Sequence, residues 1–299
     1  MGRAVGRHPV VGGATAGGFS GVPAPVHAIL HACRPEVTPV PTTIPSEHPL
    51  PRVVLTDVDD TLTWEGRLPS VTLAAMERLA AAGIALVPVT GACAGWCDQI
   101  ARTWPVTAVI GENGAFTIER EGRHLRYRDW QDEATRMRHQ AWLQKAAATL
   151  LRQYPGLRLA LDNTYRRCDL ALDHAQEVVP PVRADTVREA VAAAHALGVQ
   201  ATASSIHINL WLGDFSKKAA SLAWVRRHHG WTPDQAPGYA AFVGDSLNDA
   251  QMFETFRRSV GVANIRPHLA ALPVPPAHIT QAPGGLGFAE WVNEVLLPC

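Results

Sequence analysis

The 299-residue chain predicts an α/β architecture, a parallel sheet flanked by helices and interrupted by an inserted α+β segment, and three observations carry that prediction. Short apolar runs alternate with helical patterns from residue 52 to about 115 and again beyond residue 205. Between them, from Phe116 to Ala203, the texture changes to charged stretches, two longer helical patterns and isolated strand-like runs. Two of the flanking apolar runs, RVVLTD and AAFVGD, end on acidic residues, Asp57 and Asp245.

Taken in order, residues 1–50 mix glycine and proline (GGATAGGFSG, PEVTPVPTTIP) without a sustained period, which predicts a mostly disordered leader. The strand RVVLTD follows. A helix from Ser70 to Ala82 is expected next, capped by Ser70, stopped by Gly83, and turning Val71, Ala75 and Leu79 inward. IALVPVT, a helix through Trp96, and VTAVIGENGA continue the alternation. The inserted segment holds EREGRHLRYRDW, a helix around TRMRHQAWLQKAAATLL, the strands LRLALD and DLALD, and the helix DTVREAVAAAHALG. Alternation resumes with IHINLWL, a helix after Ser216, AAFVGD, a helix through Met252, and SVGVA. The expected organisation is a discontinuous core over 51–115 and 206–299 and an insertion over 116–205.

Composition narrows the function classes. Lysine plus arginine equals aspartate plus glutamate, 27 each, and no basic block stands out, which argues against nucleic acid as a partner. No apolar run approaches the roughly 18 residues that span a bilayer, so a cytoplasmic protein without membrane partners is expected. Cys93 and Cys97 lie one helical turn apart, but no second pair completes a metal site, so they read as buried free thiols.

The chemistry gathers at strand ends, because ligands of open parallel sheets bind beyond the carboxyl ends of the strands. TDVDDTLT places three carboxylates in four positions behind the first strand, and GDSLND places Asp245, Asn248 and Asp249 behind another. Acidic groups brought that close repel unless a cation lies between them, and carboxylate oxygens suit Mg²⁺. A calcium loop does not fit, since Leu62 stands where glycine is needed and Leu68 where glutamate is needed. Thr90 and Gly91 end a third strand with a hydroxyl and a backbone donor. Ser216 is a helix-capping residue before Lys217 and Lys218, two of only three lysines in the chain. Together these ends describe a phosphate site.

DVDDT, VTG, a helix-start lysine and GDSLND, in this order, resemble the four motifs of haloacid dehalogenase (HAD) superfamily phosphatases, over most of residues 52–297. The insertion between the threonine and lysine motifs, with GENGAF and PGGLGFAEWV, resembles the type IIB branch of sugar-phosphate phosphatases and phosphomannomutases. That resemblance implies a Rossmann-like core with a type IIB cap and a small phosphorylated metabolite as substrate. It implies Asp57 as nucleophile, Asp59 as general acid and base, and Thr90 with Lys217 on the phosphoryl oxygens, Lys218 being held in reserve. It further implies Mg²⁺ held by Asp57, Asp59 and Asp245, with Asn248 and Asp249 supporting metal and lysine. Candidate substrate contacts are Gly91, Asn113 at the entrance, and the polar cap residues Arg166, His207 and Asn209. A phosphomutase uses the same aspartates, and a non-catalytic phosphate-ligand binding protein is the remaining alternative.

Overall fold

A computed structural model describes residues 50–298. The leader expected over 1–50 therefore lies, but for Leu50, outside the described residues. The first part of the chain runs β1 (Val53–Thr56), α1 (Ser70–Ala81), β2 (Ala85–Pro88), α2 (Ala94–Thr103), β3 (Ala108–Gly111), β4 (Phe116–Glu121) and β5 (His124–Asp129). Then come α3 (Glu133–Gln153), β6 (Arg158–Leu159), β7 (Leu170–Asp173), α4 (Ala184–Ala196), β8 (Gln200–Ala203) and β9 (His207–Trp211). The last part is α5 (Lys217–His229), α6 (Ala236–Tyr239), β10 (Ala240–Gly244), α7 (Ala250–Thr255), β11 (Arg258–Gly261), β12 (His278–Ile279) and α8 (Gly284–Glu290).

Five strands form a parallel sheet in the order β12-β11-β10-β1-β2. Parallel strands covered on both faces need continuous apolar runs. Val53, Val54 and Leu55 on β1, and Phe242 and Val243 on β10, are all fully buried. One hydrophobic cluster packs Val54, Leu86 and Val243 against α1, α2 and α8, and the other packs Val53, Leu55 and Phe242 against α5 and α7. Helix α1 departs in detail from expectation: Pro69 occupies the cap position and Ser70 is the first helical residue. Val71 is 46% exposed, and the buried face is Thr72, Ala75, Met76 and Leu79.

Both expected boundaries of the insertion move. β4 pairs antiparallel with β3 and β5 with β4, β3 borders β2 through the Val89–Ile110 bridge, and Phe116 and Ile118 join a core cluster. Residues 116–129 therefore extend the core. At the other end, β9 pairs with β7 and β8 in a four-stranded antiparallel sheet, β6-β7-β9-β8, so IHINLWL belongs to the cap and not to the parallel sheet. Its Ile208 and Leu210 pack with Leu143 and Leu150 of α3 and Ala190 and Ala194 of α4 in a separate hydrophobic cluster. The two connections between core and cap lie side by side: Trp130 Nε1 donates to Asp214 at 2.9 Å and Gln131 Nε2 to the Leu212 carbonyl at 3.0 Å.

Candidate active site

Asp57 follows the last residue of β1, and its amide still donates to the Val243 carbonyl of β10 at 2.9 Å, so the sheet itself fixes where its side chain emerges. Oδ1 accepts the Val58 amide at 2.8 Å. The chain then turns sharply, with Asp60 at φ 57° and the amides of Thr61, Leu62 and Thr63 converging on the Val58 carbonyl. That turn holds Asp59 beside Asp57 on the wall of one cavity. A residue in left-handed backbone is tolerated best when it is Gly, Asn or Asp, which accounts for an aspartate at position 60.

Of the two candidate lysines, Lys217 is the one whose ammonium reaches the aspartates. Ser216 caps α5 by accepting the Ala219 amide at 3.1 Å, which makes Lys217 the first residue of the helix. Its Nζ, 5% exposed, lies 3.0 Å from Asp57 Oδ2 and 2.8 Å from Asp249 Oδ1. Behind β10, the amides of Asp245 and Ser246 donate to Asp249 Oδ2, so Asp249 anchors both the lysine and the loop that carries Asp245. Asp245 in turn accepts Thr61 Oγ1 at 2.8 Å and Asn264 Nδ2 at 3.1 Å.

Burial dominates the electrostatics. It pushes the Asp57 carboxyl up to about 7 although Lys217 pulls the other way. Burial and then Asp60 raise Asp59 to about 6. Asp245 is pushed well above the ordinary carboxyl range by burial and then by Asp249 and Asp57. Burial also opposes the charge on Lys217, but Asp249 and Asp57 outweigh it and hold its pKa above the usual lysine value. Oxygens of Asp57, Asp245 and Asp249 lie within 4.8 Å of one another. Three buried, mutually repelling carboxylates of this kind fit a hard divalent cation.

The cavity has a volume of about 310 Å³, at the low end for small-molecule sites. The core contributes Asp57, Asp59, Thr90, Gly91 and Asp245 to its lining, and the cap contributes Asp162, Arg166, Ser204, His207 and Asn209. Thr90 Oγ1 accepts the Ala92 amide at 3.0 Å and so orders the turn after Gly91. Arg166 is closed off by its own partners. Nε and Nη2 bind Asp162, and Nη1 binds Asp169 and the Gly91 carbonyl. Asn209 joins the same group, donating to Asp169 at 3.0 Å and to the Gly91 carbonyl at 3.2 Å. Burial holds the His207 imidazole below its usual pKa, and its Nε2 has no hydrogen-bond partner.

The structure thus brings Asp57, Asp59, Thr90, Gly91, Lys217, Asp245 and Asp249 to one end of the sheet and sets Arg166, His207 and Asn209 opposite them. Asn248 lies on the cavity wall with its carboxamide turned to the cap, accepting Thr202 Oγ1 at 3.0 Å and donating to Asn113 at 3.5 Å. Asn113, at φ 57°, is 2% exposed and stands behind Gly91. Sequence reasoning passed over Thr61, Asn264, Asp162 and Glu112. Thr61 sits inside the first acidic motif, where its spacing offered a signal. Asn264 comes from an irregular helical segment with no local pattern.

The chain is similar to several known phosphatases. A phosphoglycolate phosphatase of Pyrobaculum neutrophilum is 30% identical over 250 residues, 82% of this chain and 96% of its own. Among solved structures, the sucrose-phosphatase of Synechocystis sp. PCC6803 superposes with a TM-score of 0.57 at 16% identity, covering 80% of this chain and 96% of that one. A HAD subclass IIB sugar phosphatase superposes with a TM-score of 0.53 at 14% identity, covering 77% and 93%. The fold and the matched relatives define a HAD superfamily phosphatase, a phosphoric monoester hydrolase. Within that class the chain belongs to the family described as sucrose-6F-phosphate phosphohydrolase, whose model matches residues 50–278. Among the described residues no helix is long and apolar enough to cross a membrane.

Proposed function

We propose that the protein is a Mg²⁺-dependent phosphatase that hydrolyses a small sugar or polyol phosphate through an aspartyl phosphate on Asp57. The observation that carries this reading is the placement of the buried Asp57 carboxylate, with Lys217 Nζ 3.0 Å away and Asp59 beside it in one cavity. An Asp57 oxygen attacks phosphorus, and the bond from phosphorus to the ester oxygen breaks. Asp59 gives its proton to the departing alkoxide. Asp59, now ionised, takes a proton from the water that attacks the phosphoryl group, which regenerates Asp57 and frees phosphate. A carboxyl near pH 6 serves both halves of that cycle near neutrality. Thr90, Gly91 and Lys217 hold phosphoryl oxygens. Mg²⁺, held by Asp57, Asp245, Asp249 and the backbone of Asp59, would offset negative charge on the transferring group.

The cap end of the cavity argues for a leaving group that carries hydroxyls and no charge. Of the described residues lining the cavity, Arg166 is the one cation, against Asp57, Asp59, Asp162 and Asp245. Its side chain is 2% exposed and committed to Asp162 and Asp169. The remaining polar cap lining, Gln176, Ser204, Ser205, His207 and Asn209, is neutral and suited to hydroxyls, with Ile206 beside it. A carboxylate such as that of phosphoglycolate, the substrate named for the Pyrobaculum relative, would meet repulsion instead. Hydrolysis rates with Mg²⁺ across hexose phosphates, polyol phosphates and phosphoglycolate test this. The reading predicts kcat/KM at least about tenfold higher for an uncharged leaving group, equivalent to roughly 1.4 kcal/mol. Faster turnover of phosphoglycolate would contradict it, and dependence on a bisphosphate activator would favour a phosphomutase.

A further inference from the structure

Glu112 takes no part in the chemistry just described, yet its carboxylate joins the two halves of the site. It lies directly behind β3, fully buried, in left-handed backbone at φ 45°. A glutamate held in that conformation is strained unless the surroundings compensate. The compensation is visible: its two oxygens accept four backbone amides. Oε1 takes Ala94 at 3.0 Å and Arg167 at 2.8 Å, and Oε2 takes Cys168 at 2.6 Å and Asp169 at 3.1 Å. Ala94 begins α2, just behind the Thr90–Gly91 turn. The other three amides are consecutive cap residues that follow Arg166 and lead into β7.

We propose that Glu112 is a latch between core and cap, a positioning residue that fixes residues 167–169 and thereby sets Arg166 against the Gly91 carbonyl and Asp169 against Arg166 and Asn209. Four backbone donors gather on the two oxygens of this one buried side chain, and each would lose its acceptor without it, so Glu112 dominates its surroundings. The neighbouring links run through side chains: Arg166 and Asn209 each to the Gly91 carbonyl, Thr202 to Asn248, and Arg167 to both oxygens of Asp129. Opening the cap breaks three amide bonds to Glu112 together while the Ala94 bond, within the core, is left to anchor the carboxylate. The phosphate end and the leaving-group end of the cavity are therefore held in register by one group that touches neither.

Amide hydrogen exchange on the full chain, without substrate, tests the latch, so a failure of the hydrolase reading leaves this test intact. In the wild-type protein the amides of Arg167, Cys168 and Asp169 should show one shared protection factor, each rate being taken relative to that amide's intrinsic rate, because one opening frees all three. In Glu112→Gln, whose amide group offers one acceptor oxygen in place of two, their protection should fall about 10- to 100-fold, the range expected when buried amide donors are left without an acceptor. Amides of β1 and β7 should keep theirs. In the same variant the KM for a hexose phosphate should rise while the inhibition constant of inorganic phosphate, a ligand of the core alone, stays within about twofold. Three clearly different protection factors in the wild type would overturn the latch even if Glu112→Gln fails to fold. Unchanged protection in the variant, or loss that spreads to β1, would overturn it as well.

Discussion

Lys217 separates two carboxylates that would otherwise face each other, and that position makes its replacement informative. Lys217→Ala leaves Asp57 and Asp249 buried without their cation, and kcat should fall by about 10² to 10³, the scale of losing one charge-stabilising donor. Lys218→Ala, one position on and only half-buried, should stay within about twofold of wild type, and steady-state kinetics on the two variants decides between them. Thr61 makes a subtler case. Its hydroxyl donates to Asp245 from a fully buried position, so Thr61→Val removes a hydrogen bond to a charged group worth about 1.5–3 kcal/mol. Weaker Mg²⁺ dependence, measured as a higher metal concentration for half-maximal activity, is the expected sign. An unchanged metal titration would show that the hydroxyl does not orient Asp245.

At the scale of elements, the turn after β3 supports the start of α5. Gly114 has φ 111°, and a Cβ there would collide with the carbonyl oxygen of Ser216, the residue that caps α5 and precedes Lys217. Gly114→Ala therefore strains its own backbone and pushes on the lysine helix. Thermal unfolding should show a loss of about 1–3 kcal/mol, with kcat reduced as well, and a variant with unchanged Tm and kcat would refute that coupling. The same scale shows what the sequence made legible. β1, β10 and the strand before Thr90 announced themselves as apolar runs ending in polar residues, and the Asp57, Thr90 and Asp245 positions followed from them. Lys217 was readable because a serine cap stood before it. The sheet that a strand joins was not readable. IHINLWL has the same local pattern in a cap sheet as in a core sheet, and only its partners β7 and β8 decide. Charged EREGRHLRYRDW looked foreign to a core, yet a hairpin at a sheet edge buries only its first residues and leaves the rest in solvent. The role of Glu112 within GENGAF left no local signal, because three of its four partners are backbone amides 55 to 57 residues away.

Over the whole molecule, the acidic cluster links stability to pH and to metal. Asp57 and Asp59 are raised to about 7 and 6 from an unperturbed value of 3.8, so each binds its proton more tightly in the folded chain than in the unfolded one. The contribution of these two groups is therefore greatest below about pH 4 and declines as pH rises toward 7. Mg²⁺ competes with those protons and binds the folded chain, so it should raise Tm more at pH 8 than at pH 5. An equal or larger shift at pH 5 would remove the carboxylate cluster as the metal site. The cap adds the other half of the account, since Arg166, His207 and Asn209 line the same cavity of about 310 Å³ as Asp57 and Asp59.

The central claim, that Asp57 attacks phosphorus with Mg²⁺ beside it, is tested most directly by phosphate release from hexose phosphates by the wild-type protein and by Asp57→Asn, each with Mg²⁺ and with chelator. The account predicts release by the wild type with Mg²⁺ alone and none from Asp57→Asn in either condition. Release by a folded Asp57→Asn protein, or undiminished release in chelator, would contradict it.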